Sequence, residues 1–270
     1  MTATTTSVAP VRTEFAYRLT FVRAMRSEWI KLATLRSTWW SIGIVAVLTI
    51  GIALLIAQGM NAPGYGGIQA VVSPIQFTML LAGILGAIAV TGEYSTGMIH
   101  STLTADPIRG SVLAAKAIVV AALLFVASFA IFLIAAVAVS PILQAKDLAI
   151  AWSEPGDSWV PLLSASFSMA VFALIGVSFG FLLRSGAGAI AATVGLLFVL
   201  PIVVSIFPYQ DPAWQWVRDL GSYLPMSASQ SLILPSEEWG LDAPVAFVAL
   251  CGWVVAGMLG AWGVLRVRDA

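Results

Sequence analysis

Charge and metal-binding side chains are scarce in this 270-residue chain: one residue in ten is Asp, Glu, Lys or Arg, and there is one cysteine, Cys251, and one histidine, His100. A single Cys and a single His exclude a disulfide and a Cys/His zinc site. Cys251 lies inside an apolar run and reads as a packing residue. The three lysines, Lys31, Lys116 and Lys146, stand outside any GxxxxGK[ST] phosphate loop, so ATP hydrolysis does not belong to this chain. No HExxH occurs, and the long apolar runs hold no ionisable residue in their interiors, which disfavours proton-driven carriers, voltage sensors, intramembrane proteases and metal transporters. Thirteen basic residues balance thirteen acidic ones, which excludes a basic nucleic-acid-binding surface. The expectation is therefore a non-catalytic chain with no catalytic, metal or cofactor-binding residues of its own.

What the chain has in abundance is apolar surface. Hydrophobic residues make up 60% of it and the mean hydropathy is +0.96, the composition of an integral membrane protein. About 20 helical residues cross a hydrocarbon layer of about 30 Å. Five long uncharged runs are present, and the turn-forming segment from Gln58 to Gly67 divides the longest, so six spans are expected: 38–58, 72–91, 117–143, 160–183, 187–207 and 243–265. The fold class is all-α and polytopic, with 37–270 as the transmembrane domain. Pro74 and Pro201 are placed to bend spans two and five. Gly176-x-x-x-Gly180 in span four, and Gly252, Gly257, Gly260 and Gly263 in the last, offer close helix contact, either within the chain or with a second copy.

Orientation follows the basic residues. Eleven of them fall on the side holding both termini, and two, Lys146 and Arg218, fall on the other, so both termini are expected in the cytoplasm. Residues 1–14 read as a disordered tail. From 15 to 36 the residues Phe15, Leu19, Val22, Met25, Trp29 and Ala33 recur at helical spacing, with Arg23, Ser27, Glu28 and Lys31 largely opposite. A basic, Trp-bearing helix there suits the cytoplasmic membrane interface, as a topology anchor or as a functional element.

The connection after span two is too polar for a span and too apolar for a bare loop. Ser95 or Thr96 is placed to cap a short helix that Asp106-Pro107 ends, and Met98, Ile99, Thr102 and Leu103 would make an apolar knob on it, a docking element. Before the last span, Asp211-Pro212 and Gly221 bracket a helix with Trp214, Val217 and Leu220 on one face, and Tyr223-Leu-Pro225 opens a second. These are outer helices, or simply an aromatic belt.

Two segments carry a family resemblance: Glu93-x3-Gly97-x9-Pro107-x-Arg109-x6-Lys116 after span two, and Ser27-Glu28-Trp29-Ile30-Lys31-Leu32 with Arg36 before span one. In order and position they resemble the ABC-2 permeases, the membrane subunits of type 2 ATP-binding-cassette exporters, especially those of Gram-positive and actinobacterial genomes. The resemblance implies a plasma-membrane permease, a separately encoded ATPase that holds the ATP and magnesium, a second permease copy or paralogue, and a cytoplasmic coupling helix after span two. It places Glu93 and Gly97 at the start of that helix, sends Met98 to Leu103 into a groove on the ATPase, and closes the loop with Pro107 and Arg109. It also implies short extracellular helices capping the exit. Glu93 either pairs with Arg36 or Arg109 or stays solvated at headgroup level. The alternative reading is a non-transporting scaffold or sensor subunit that docks another cytoplasmic protein. Scarce charge in the spans points to amphipathic or apolar cargo.

Overall fold

A computed structural model of the chain describes residues 20–60, 66–105, 108–208, 212–235 and 240–267. The tail at 1–14, the first residues of the expected interfacial helix, and Pro107 lie outside these, as does the side chain of Leu103. The described chain is all-helical, without strands: α1 Phe21–Thr34, α2 Arg36–Gly59, α3 Gly67–Val72, α4 Ile75–Ser95, α5 Met98–Ala105, α6 Arg109–Gln144, α7 Trp159–Leu183, α8 Gly186–Val194, α9 Leu200–Ser205, α10 Gln215–Ser222, α11 Pro225–Ile233 and α12 Ala243–Val267. Six helices are long and apolar enough to cross a membrane: α2, α3 with α4 as 67–95, α6, α7, the 186–205 segment and α12. Such a chain is a multi-pass membrane protein.

Proline shapes two spans. The turn at Ser73-Pro74 separates α3 from α4, so the second span starts at Gly67, five residues earlier than the apolar run indicated. Between α8 and α9 the helix widens to a π turn over Gly195–Val199, which ends two residues before Pro201, whose missing N–H cannot close an ordinary turn.

Burial sorts the spans into a centre and a periphery. In the most apolar window of each, 72% of α7 and 61% of the 67–95 span are buried, against 22% for α2 and 17% for both the 186–205 segment and α12. Glycine sets the centre. A methyl group built on Gly176 would overlap the carbonyl oxygen of Gly83, and one on Gly86 would overlap that of Ala173, so α4 and α7 touch backbone to backbone. A methyl on Gly180 would lie 2.7 Å from the Cβ of Val90. The Gly176-x-x-x-Gly180 pattern is thus spent inside the chain. In α12 only Gly257, against Ser178, and Gly260, against Leu182, meet a neighbour, while Gly252 and Gly263 face open space.

The two ends of the bundle differ in charge. At one end, the basic end, Arg109 donates to the carbonyl of Leu265, Arg266 stacks over Trp262 at 3.8 Å, and Arg184 lies over Tyr94 at 5.4 Å. At the far end Lys146 donates to the carbonyls of Ala57, Gln58 and Met60, with the first and last at 3.1 and 2.9 Å. These include the last carbonyls of α2, which have no partner within the helix, and a cation there also meets the negative end of the helix dipole. Lys146→Met is expected to lower stability by about 1–2 kcal/mol, read as a lower unfolding temperature in nanodiscs. An unchanged unfolding temperature would mean that water serves those carbonyls equally well.

Candidate functional site

The polar site of this molecule is built where three helices meet at the basic end. Helix α6 is 36 residues long, about 54 Å at 1.5 Å per residue and well beyond a hydrocarbon thickness. Its first two turns therefore extend past the expected span and carry Lys116, which is 3% exposed. The last turn of α4 carries Glu93, 7% exposed, and α1 packs across α6 with Glu28, 3% exposed, turned inward. The three ionisable groups meet, and Lys31 closes the set from α1.

The contacts form a ring of alternating sign. Lys116 Nζ pairs with Glu28 Oε2 and, at 2.8 Å, with Glu93 Oε1. Lys31 Nζ lies 2.7 Å from Glu28 Oε1 and 2.9 Å from Glu93 Oε1. Two carboxylates and two ammonium groups sum to zero, which makes so much buried charge tolerable: Glu28, Glu93 and Lys116 are desolvated and Lys31 partly so, yet each has two opposite neighbours. Lys116 also donates to Ala89 O at 3.4 Å, and Lys31 donates to Thr102 Oγ1 in α5 at 3.2 Å. Burial of Lys31 works against its charged form, but the hydrogen bonds and charges of Glu28 and Glu93 outweigh it and hold its ammonium above the ordinary lysine value. With a raised value, the stabilisation from Lys31 is complete through neutral pH and is lost only as pH climbs past the lysine range.

This arrangement corrects several expectations. Glu93 pairs with Lys31 and Lys116, not with Arg36 or Arg109: Arg36 opens α2, and Arg109 opens α6 and reaches α12. Glu93 sits in the last turn of α4 rather than at the start of the short helix. Lys116, read as a loop cation, is inside α6, so the membrane helices do carry ionisable groups near one end. Glu28 and Lys31, read as the solvated side of the first helix, face the protein, while Val22 and Trp29 of the expected apolar stripe are 68% and 47% exposed.

The short helix after α4 exists, and Gly97 makes the junction. Its φ of +71° is left-handed and reverses the chain after Thr96, a conformation open to glycine at little cost. Ser95 and Thr96 donate back to Gly92 O, so neither caps α5. The expected knob is divided. Ile99 is 2% exposed and Thr102 is half-buried at Lys31, while Met98, at 46%, is exposed together with His100, Ser101 and Thr104. Between α1 and α5 runs a groove of about 360 Å³, lined by residues that include Arg23, Ser27, Met98 and Thr102.

At the far end the expected outer helices are α10 and α11. Trp214 lies in a tight 3₁₀ turn before α10 and packs against Phe207, with ring centroids 4.7 Å apart and the planes tilted by 44°. Leu220 and Tyr223 are exposed and Val217 is half-buried. Gly221 is the residue that seats α10, against Val204. Pro225 starts α11 as expected, and Trp253 donates to Tyr223 O at 2.8 Å, tying this layer to α12. Among the described residues no cluster of His, Cys, Asp or Glu is arranged to hold a metal ion. No protein-family model and no curated protein matches this chain.

Proposed function

We propose that this chain is the membrane subunit of an ATP-driven exporter of the ABC-2 permease type, lying in the plasma membrane with the basic end and both termini in the cytoplasm. In this reading α1 is the interfacial helix, α5 the coupling helix, and α10 and α11 the extracellular helices over the exit. ATP and magnesium are held by a separate ATPase chain, and a second permease copy or paralogue completes the path. The observation that carries the proposal is the link from α5 into the charge ring. A force on α5 reaches Lys31 through Thr102, and Lys31 is bonded to carboxylates on α1 and α4 that also hold Lys116 on α6. A short surface helix wired to three others is a device for passing a partner's motion into a bundle. The basic face agrees with cytoplasmic placement, since Lys and Arg are retained there during insertion.

The test is purification of the tagged protein from its native membranes, beside a variant carrying Ser101→Arg and Thr104→Arg on the outward side of α5. Wild type is expected to bring down a P-loop ATPase and its ATP hydrolysis, with the variant losing at least about tenfold of that activity while keeping its fold. Wild type that carries no ATPase would refute the exporter reading and favour a scaffold or sensor subunit. Full activity in the variant would show that α5 is not the docking element.

A further inference from the structure

The two halves of the 186–205 segment are held differently. In the first half Ala189, Thr193 and Leu197 are fully buried, and a methyl built on Gly83 would lie 2.5 Å from Thr193 Cγ2 and 3.1 Å from Leu197 Cδ1, so this half packs closely on α4. The anchoring ends at Leu197, inside the π turn. Beyond it α9 has no buried residue, and α10 has only Gly221. Helix α11, one residue longer than α10, buries Pro225, Ala228, Ser229, Ser231 and Ile233.

The outer half is nevertheless tied to α10. Gly221 seats against Val204, and Phe207 packs on Trp214, so the two short helices hold each other. A cavity of about 1040 Å³ lies between this pair and the rest of the bundle. One wall is anchored in the core through Val72, Ile75 and Ile233, all buried, and the other consists of residues of α9 and α10 that include Val204, Gln215 and Ser222.

Each end of the pair has a place to bend. At the first, the π turn has a looser hydrogen-bond ladder, Pro201 supplies no N–H, and Gly195 has no neighbour within 4 Å of where a Cβ would sit. At the second, Leu224 is extended, with a ψ of 147°, directly before Pro225, and Trp253 of α12 pins the carbonyl of Tyr223 at 2.8 Å. Helices packed on each other between two short bends form a hinged body. The cavity defines its two positions. Inward movement brings Val204 toward Val72 and Ile75 and removes apolar surface from water, while outward movement keeps Gln215 and Ser222 hydrated.

We propose that residues 200–222 are a lid, moving as one body on the π turn and the Tyr223–Leu224 link to open and close the cavity. The lid is built from this chain alone and needs no ATPase, so it stands apart from the exporter reading.

The experiment uses the full chain in phosphatidylcholine nanodiscs, with Cys251→Ala and nitroxide labels on introduced cysteine pairs, and reads distances by pulsed electron spin resonance. Ala187→Cys, exposed on the anchored half, is the common point; Leu220→Cys reports the lid and Gln230→Cys the anchored wall. The distance distribution from 187 to 220 is expected to be at least about twice as wide as that from 187 to 230, or to split into separate populations. Pro201→Leu, which restores an N–H at the first bend, is expected to narrow it to the width of the wall pair. Trp253→Phe, which releases the Tyr223 carbonyl at the second, is expected to broaden it further and serves if Pro201→Leu does not fold. Equal widths for the two pairs, or a lid distribution that neither variant changes, would overturn the proposal. A wide lid distribution in a chain that brings down no ATPase would leave the lid standing and the exporter reading refuted; equal widths in a chain that does bring one down would refute the lid alone.

Discussion

Lys116→Met is expected to destabilise the protein by about 3–5 kcal/mol. The substitution nearly conserves length and removes only the ammonium, leaving Glu28 and Glu93, both almost fully buried, with Lys31 as their shared partner. The surplus negative charge has no water to face, and an uncompensated buried ion is what makes breaking such a set costly. The complementary change distinguishes charge from shape: adding Glu28→Gln to Lys116→Met restores neutrality around Glu93 and Lys31 and is expected to recover most of the loss. Thermal unfolding in nanodiscs, followed by tryptophan fluorescence, reads both. A single variant within about 1 kcal/mol of wild type would show that the ring is open to solvent.

Gly176→Val is expected to cost more than about 3 kcal/mol and to reduce the amount of monodisperse protein sharply. Overpacking is usually relieved by side chains that change rotamer, but here the first added carbon meets the carbonyl oxygen of Gly83 and lies 2.9 Å from the backbone nitrogen of Ala87. Backbone inside a helix cannot step aside, so α4 and α7 must separate along their length. Gly252→Val is the matched control, on a helix of similar length with open space around the site, and is expected to change stability by no more than about 0.5 kcal/mol. Equal effects at the two positions would mean that intrinsic helix preference, not close approach, governs Gly176.

The spans were legible in the sequence because a hydrocarbon layer imposes length and apolarity on each segment independently of the rest of the fold. Four of the six expected ranges match the helices to within about two residues at each end, with α7 and α12 the closest. The second span starts five residues before its expected range because the turn-rich segment reads as ending at the apolar run, whereas the end of the second and the start of the third differ because a charge reads as a boundary. In sequence Glu93 and Lys116 read as loop residues because an isolated charge usually leaves the membrane, yet both continue their helices because each finds opposite charges. The ring itself was not legible. Its members are 65 and 23 residues apart, from Glu28 to Glu93 and from Glu93 to Lys116, and α1 carries both a polar side and an apolar side, so periodicity alone did not say which one the protein would cover. A signal was present in the Glu28 and Lys31 pair, one helical turn apart and matched in number by the one acid and one lysine that flank the short loop.

The backbone contact between α4 and α7 also sets an order of events during synthesis. Gly86 and Gly176 are 90 residues apart, so at about 5–20 residues per second the second span waits on the order of 5–20 s for its main partner to leave the ribosome. Glu28, Lys31, Glu93 and Lys116 have all been made by then. The nascent chain can therefore close its charge ring while the first three spans are alone in the bilayer, holding α1, α4 and α6 in register until α7 inserts between them. The pins that join the helices in the finished protein are, on this timetable, also its assembly jig.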